Sequence, residues 1–344
     1  MNSLLAKAKP LARDLFSLSK LRPQRTSGWE FFFLRLFLAI ALAEELSLTT
    51  DEFPFVSVDN KGRDETTQTH ETGLAHLFDL TWLSNPAYFV PVQWILLIGL
   101  GIYVSGFLLP LVLPVLTTLH ILIFTLDNSE GNTNHTHQMG SLILLGQTVI
   151  LLWPWARKLT LLWPWARTKL KLDPNSAPTK SIVRDYAVFY SLVALTGAYV
   201  IAGISKVIDS TGLWIWNSPY IGMGMNKTNH QNFYNHLNPA HMDTNFVQVS
   251  EFMFGHPWIT RAVLGGGLFL ELFAFLALRN RLWALGLGLG IWSMHEMINL
   301  FMGLNFEQNK FFVLIFMINA PFWIGAGMMW LKGLKGKTIG PPRV

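Results

Sequence analysis

Long apolar stretches separated by polar segments dominate the pattern of this chain. A helix needs about 20 apolar residues to cross a bilayer, and eight stretches approach that length. They lie at residues 29–48, 89–107, 108–126, 139–156, 185–205, 257–278, 282–303 and 310–331. Between and within the second and third stretches, Gly106, Pro110 and Pro114 predict either a tight turn or a kinked helix. The pattern therefore predicts an all-α, polytopic transmembrane helix bundle with eight spans.

The composition agrees with a membrane protein. Of 344 residues, 51% are hydrophobic and only 14% are charged, which is typical of a chain that contacts lipid. The absence of cysteine excludes disulfides, thiolate metal sites and a cysteine nucleophile. The net charge of +5 comes without a basic stripe interleaved with aromatic residues, which argues against a nucleic-acid partner. The partner that the composition predicts is the lipid bilayer, of a bacterial inner membrane or an endomembrane.

Lysine and arginine cluster in alternate connections, at residues 1–28, 157–184, 279–281 and 332–344. Basic connections are retained on the cytoplasmic side of a membrane, so eight spans place both termini in the cytoplasm. We therefore divide the chain into a basic segment 1–28, a transmembrane domain 29–331 and a basic tail 332–344. The opposite connections carry acids and histidines instead, and the longest of them runs from 206 to 256.

One short sequence, LLWPWAR, occurs twice, at residues 151–157 and 161–167. Tryptophan and arginine together favour the headgroup zone of a membrane. Proline is expected to break the helix here, which would let the second copy lie along the membrane surface.

Ionisable side chains inside the predicted spans are costly unless they are paired or hydrated. They are Arg35, Glu44, Glu45, His120, Glu271, His295 and Glu296. Arg35 would be neutralised by a carboxylate on another helix, such as Glu271. His120 is expected to be a hydrogen-bonded histidine of the bundle, whereas Glu44 and Glu45 lie near the outer end of their span and are expected to be solvated.

Lys206 lies in the stretch YVIAGISKVID, residues 199–209, at the outer end of the fifth predicted span. A basic residue is disfavoured on that side. Two interpretations stay open: Lys206 reaches the membrane interface with its long side chain, or it shares an outward-open cavity with His295 of the seventh span.

Three segments in this order, YVIAGISKVID at 199–209, LGGGLFLELFAFLALRNRLWALG at 264–286 and MHEMINLFMGLNF at 294–306, resemble the vitamin K-dependent gamma-carboxylase family and its bacterial relatives, the horizontally transferred transmembrane domain proteins. Upstream, NHTHQMG at 134–140 resembles another motif of that family. The sequence departs from the family pattern at Ser205, where a first lysine is expected, and at Ile298, where an asparagine is expected. Because residues 332–344 are too few to form the peptide-binding extracytoplasmic domain of the carboxylases, we expect that domain to have no counterpart in residues 1–344.

The resemblance implies a quinone-dependent reaction. In that family a reduced naphthoquinone, similar to vitamin K or menaquinone, reacts with oxygen and becomes a base that removes a carbon-bound proton, after which carbon dioxide adds. The resemblance makes Lys206 the catalytic base, which must then be neutral, and gives His295 and His135 catalytic roles near the quinone oxygens. Asn134 pairs with His135 in the outer motif. Trp214 and Trp216 are expected to cover the bound cofactor, or alternatively to anchor in the interface.

Two other classes of function stay open. Histidines of the outer segments, His230, His236 and His241 with His135 and His137, have residue types that suit copper or zinc, but their spacing completes no known metal site, and we predict no metal ligand. A non-enzymatic subunit of a membrane complex, or a protein with a peptide partner, would also fit the scaffold. A quinone extracted with the purified chain would favour the enzyme.

Overall fold

The computed structural model describes residues 21–46, 73–129, 136–161, 179–237, 244–302, 304 and 306–335. The regular structure within these ranges is helical throughout. This confirms the all-α fold class. By its internal contacts the chain divides into two units, and the second comprises residues 196–313 of the described chain.

The first unit comprises residues 21–195 and 314–335 of the described chain. Its sequential helices α1, α2, α3 and α4 pack as neighbours, and α12 packs against α1. The helices are α1 Gly28–Glu45, α2 Pro86–Ser105, α3 Leu109–Ser129, α4 Thr136–Leu161, the first half of α5 Lys180–Asp209, and α12 Ala320–Lys335; 3-10 turns occur at Gly73–His76 and Thr81–Ser84.

The second unit begins inside α5 and contains several shorter helices. They are α6 Trp214–Asn217, α7 Ile221–His236, α8 Thr244–Gly255, α9 Pro257–Leu272, α10 Arg281–Met302 and α11 Glu307–Phe312, with 3-10 turns at Ser218–Tyr220 and Ala274–Leu278. A π-helix, Val313–Ile318, follows α11. The predicted outer segment 206–256 is thus largely helical where the structure describes it.

Local sequence signals set several helix ends. Ser27 caps α1 by accepting a hydrogen bond from the backbone of Glu30, whose side chain returns one to Ser27, as in a capping box. Gly106 ends α2 with φ +78, a left-handed conformation that glycine adopts without steric cost. Because α3 begins three residues later, the structure selects the tight turn rather than the kinked helix between the second and third predicted spans.

Five helices of the described chain are long and apolar enough to cross a membrane. They cover residues 87–105, 109–129, 138–158, 180–209 and 307–331. Among the remaining predicted spans, α1 has 18 residues but carries four charged side chains, and α9 stops after 16 residues. The eight-span count and the orientation of the termini stay predictions.

The expectation that proline breaks the helix in the first copy of LLWPWAR is wrong. Pro154 lies inside α4, which continues to Leu161. Proline interrupts one backbone hydrogen bond, but neighbouring groups in a helix bundle can restore its partners. The second copy, from residue 162 onward, lies outside the described residues.

Two expectations about buried polar groups need correction. Glu45 is buried rather than solvated, with its Oε2 3.4 Å from Nε2 of His120, because neighbouring helices cover the end of α1; Glu44 is exposed as expected. Arg35 donates to the carbonyl oxygen of Tyr103 at 3.0 Å, while Glu271 contacts Lys206. His120 is hydrogen-bonded within the bundle, as predicted.

Candidate functional site

Lys206 lies one turn before the end of α5 and forms an ion pair with Glu271, the penultimate residue of α9. Its Nζ donates to both carboxylate oxygens, at 2.5 and 2.6 Å. The Glu271 side chain is 7% exposed and that of Lys206 is 36% exposed. The contact has the geometry of an ammonium–carboxylate pair in which the carboxylate side chain is nearly buried and the lysine side chain is partly exposed.

Gly203 allows the two helices to approach closely at this pair. A Cβ at this position would lie 3.0 Å from the Leu272 side chain and 3.2 Å from Cβ of Glu271. The absence of a side chain on α5 therefore leaves room for the end of α9. The glycine of the IAG sequence has a packing role that positions Glu271 beside Lys206.

His295 on α10 lies in a second hydrogen bond of the same unit. Its Nε2 is 2.8 Å from the hydroxyl oxygen of Tyr199 on α5, and the Phe306 ring lies 5.0 Å from the imidazole, centroid to centroid. His295 and Tyr199 are both buried. The other ring nitrogen of His295, Nδ1, is buried without a hydrogen-bond partner, which is the kind of atom that a ligand oxygen or a water satisfies.

The ion pair and the tyrosine–histidine pair form one cluster. Tyr199 and Lys206 are seven residues apart on α5, a spacing that places them on the same helix face. Both pairs also share α5, which supplies Tyr199 to the contact with His295 and Lys206 to the contact with Glu271. We call these four side chains, Tyr199, Lys206, Glu271 and His295, the Lys206 cluster.

Trp214 lies next to the Lys206 cluster. Its ring centroid is 5.7 Å from Nζ of Lys206, within the range of a cation–π contact. The same tryptophan lines a cavity of about 480 Å³, together with Ser210, Asn217 and Tyr220 among others. The structure thus brings Trp214 and Lys206 together, and a covering role for Trp214 stays a prediction.

Trp216 has a different neighbour. The guanidinium carbon of Arg261 lies 4.0 Å from its ring centroid and 4.9 Å from that of Trp258, and Nε of Arg261 donates to the Trp216 carbonyl oxygen. Trp216 is 55% exposed. The structure therefore places Trp216 against Arg261, and both predicted roles of Trp216, cofactor cover and interfacial anchor, stay predictions.

The outer motif with Asn134 and His135 lies outside the described residues, so its expected position near the Lys206 cluster stays a prediction. His241 also lies outside them. Of the histidines in the metal hypothesis, His230 has its Nδ1 2.7 Å from the carbonyl oxygen of Asn226 on its own helix. Among the described residues, no group of three or more histidine, aspartate or glutamate side chains is arranged to hold a metal ion.

Sequence reasoning did not single out Tyr199 and assigned Glu271 a different partner, Arg35. Tyr199 opens the apolar stretch that ends with Lys206, and its spacing of seven residues was the available signal. Glu271 was recognised as a costly carboxylate, but its partner is 65 residues away in the chain, and no local pattern records that distance.

The comparisons with known proteins leave the chain without an assigned family. It matches no family model, no curated protein and no solved structure. Fold and hydropathy define its class, a helical membrane protein with membrane-length apolar helices.

Proposed function

We propose that this multi-pass membrane protein binds the ring of a reduced naphthoquinone at the Lys206 cluster and uses the cluster to move protons in a quinone-coupled carboxylation or epoxidation. The observation that carries the proposal is the buried, unpartnered Nδ1 of His295 in the same cluster as Lys206. A quinone or hydroquinone oxygen would satisfy that nitrogen. The resemblance of residues 199–209, 264–286 and 294–306 to the carboxylase family supplies the reaction class.

The Tyr199 hydrogen bond prepares His295 for this contact. When the Tyr199 hydroxyl donates to Nε2, the neutral imidazole carries its hydrogen on Nδ1 and offers a donor to the ligand. A donor fixed in a buried place stabilises negative charge on a ligand oxygen more strongly than water does. His295 therefore acts as an electrophilic contact, and Tyr199 as the group that sets its tautomer.

Lys206 must release a proton before it can act as a base. The Glu271 carboxylate is the nearest acceptor, and transfer of one proton from Nζ to a carboxylate oxygen would leave a neutral amine and a neutral acid without a change in total charge. The bound quinone, with oxygen, would supply the strong base that removes a carbon-bound proton. In this scheme Glu271 acts as a proton store for Lys206.

The cavity beside Trp214 has the dimensions of a small-molecule site, because ligand pockets enclose about 300–1,000 Å³ and this one encloses about 480 Å³. Aromatic side chains of Trp214 and Tyr220 offer flat surfaces for a ring, and the Asn217 amide offers a polar contact. The Lys206 side chain is 36% exposed, and in this proposal a second substrate would reach it from that exposed side.

A non-enzymatic membrane-complex subunit is favoured by one observation. The Lys206–Glu271 contact neutralises both charges, which is what a purely structural pair would do. In that case the pair serves the packing of α5 against α9 and needs no ligand.

Mass spectrometry of lipid-soluble molecules extracted with the purified full chain distinguishes the quinone-dependent enzyme from the membrane-complex subunit. We expect a naphthoquinone with the wild type and about tenfold less with His295→Leu, since loss of a charge-stabilising hydrogen bond weakens binding by roughly 1.4 kcal/mol or more. His230→Leu is the matched control, because His230 is exposed and outside the Lys206 cluster.

Thermal unfolding must first show that both variants are folded. Equal quinone content in His295→Leu and the wild type would contradict the proposal, as would a wild type without quinone. Stoichiometric partner proteins in place of a quinone would support the membrane-complex subunit.

A further inference from the structure

Arg261, on α9, lies in a corner formed by two tryptophan rings. Its guanidinium carbon is 4.0 Å from the ring centroid of Trp216 and 4.9 Å from that of Trp258, and the two rings meet at an interplanar angle of 83°. Both distances are within the range of a cation–π contact. We call the side chains of Arg261, Trp216 and Trp258 the Arg261 corner, and it shares no residue with the Lys206 cluster.

The Arg261 corner fixes the guanidinium but leaves most of its donors unused. Arginine has five N–H donors, and within the described residues the side chain of Arg261 makes one hydrogen bond, from Nε to the Trp216 carbonyl oxygen at 3.2 Å. The ion pairs of the described chain lie elsewhere. The two terminal nitrogens therefore present a positive charge and a planar fork of N–H groups, which matches two oxygens of a phosphate.

The exposed face of α9 is apolar. The exposed residues of this helix are Trp258, Ile259, Ala262, Val263, Gly266 and Phe269. With 3.6 residues per turn, these positions fall within an arc of about 140°. Thr260, Leu268 and Glu271 are buried on the opposite side of the helix. The same chain has helices of membrane length, so an apolar face of this kind is suited to contact with lipid.

The length and the order of this apolar face favour lipid over a protein partner. At about 1.5 Å per residue, the face from Trp258 to Phe269 is about 16 Å long, which is close to half of a hydrocarbon core of about 30 Å. The tryptophan and the arginine of α9 both lie in its first five residues. Tryptophan and arginine favour the headgroup level of a membrane, so the Arg261 corner lies at the depth of the lipid phosphates when the face contacts one leaflet.

From this arrangement we propose that the Arg261 corner binds the phosphate group of a membrane phospholipid. The terminal nitrogens of Arg261 donate to two phosphate oxygens, and Trp216 and Trp258 flank the headgroup. The acyl chains lie along the apolar face towards Phe269. Free inorganic phosphate offers the same oxygens but no acyl chains, so the burial of apolar area selects the lipid.

Photocrosslinking of the full chain in nanodiscs tests the proposal, with a phosphatidylglycerol that carries a photoactivatable headgroup as the probe. We expect peptide mass spectrometry to find the crosslink beside Trp216 or Trp258 in the wild type. Arg261→Gln should lower its yield about tenfold, as expected when a charge-assisted hydrogen bond is lost. Lys227→Gln is the control and should keep the yield, because it removes one exposed positive charge of the same unit and no atom of the Arg261 corner.

Spin labels measure the depth of the apolar face in the same nanodiscs. The chain contains no cysteine, so Ile259→Cys and Phe269→Cys each introduce a single attachment point, at side chains that are 51% and 58% exposed. We expect the label at residue 269 to collide more often with dissolved oxygen, and less often with a water-soluble nickel chelate, than the label at residue 259. This result requires lipid contact that deepens along α9.

Thermal unfolding must first show that the variants are folded. If Arg261→Gln is not, Arg261→Lys takes its place, since lysine keeps the charge but loses the planar fork and the bond to Trp216, and the yield should again fall. The proposal is overturned if the wild type gives no crosslink beside either tryptophan, if the arginine variant keeps the full yield, or if the nickel chelate reaches both labels equally. A crosslink between two copies of the chain at α9, without lipid, would also overturn it.

Discussion

Glu271 is the side chain that forms the ion pair with Lys206. Its carboxylate is nearly buried and accepts hydrogen bonds from Nζ with both oxygens. The same contact pairs the two opposite charges, and in the proposed function the carboxylate would also accept a proton from the amine. The ion pair with a nearly buried carboxylate is a contact that the sequence interpretation of Lys206 as a residue of the membrane interface did not include.

Removal of the Glu271 charge should destabilise the protein. Glu271→Gln leaves the Lys206 ammonium without its counter-ion and is expected to lower the free energy of unfolding by about 1–3 kcal/mol. The matched control is Glu296→Gln, which breaks the Lys310–Glu296 pair at 2.8 Å, where the glutamate side chain is 38% exposed. That loss should stay below about 1 kcal/mol.

Denaturant unfolding in detergent micelles measures both values. Equal losses in the free energy of unfolding for Glu271→Gln and Glu296→Gln would show that the burial of Glu271 does not strengthen its ion pair.

At the scale of elements, the approach of α5 to α9 depends on Gly203. The two helices bring Lys206 and Glu271 together only because no side chain stands between them. Small residues at helix contacts serve this purpose in membrane bundles. The position of the glycine three residues before the lysine thus links helix packing to the site.

Gly203→Val should separate these helices, whereas Gly197→Val on the same helix meets no atom within 4 Å of its Cβ. Both substitutions share the change in helix propensity, so their difference isolates packing. We expect Gly203→Val to be less stable than Gly197→Val by about 1–3 kcal/mol, the usual cost of overpacking. Thermal unfolding of the two variants in the same detergent is the measurement, and equal stability would contradict the close contact.

Some elements could be predicted from local sequence and others could not. The turn at Gly106 could be predicted, because the left-handed backbone conformation that glycine adopts there is a local property of the residue. Glu45 was expected to be solvated because the sequence shows its place along α1 but not the helices that cover it. The partner of Glu271 could not be predicted for the same reason, since tertiary neighbours leave no periodic pattern in the sequence.

At the scale of the whole molecule, hydropathy predicted the helical class correctly, whereas the count of eight spans stays a prediction. Apolar periodicity identifies buried or lipid-facing helices by length and composition. Charged helices such as α1, with four ionisable residues, do not reveal from sequence whether they cross a membrane or pack inside the protein. Lys206 and His295, to which the resemblance to the carboxylase family assigns catalytic roles, lie in one cluster, and those roles stay predictions.

Topology reporters test the predicted orientation. A tag after Lys337 and another near Ala177 should both be cytoplasmic, because the even-numbered connections contain the basic residues. Protease accessibility in right-side-out and inverted vesicles reads out each tag. A tag on the opposite face at either position would contradict the eight-span arrangement.

Lys206→Arg tests the central claim, that Lys206 acts as a base, more directly than any other change. Arginine can keep the ion pair with Glu271, but its guanidinium does not lose a proton in a protein. Quinone oxidation in membranes with matched protein levels should therefore fall by about 100-fold or more, and an added amine should partly restore Lys206→Ala. Full activity in Lys206→Arg would contradict the account and leave Lys206 as a structural partner of Glu271.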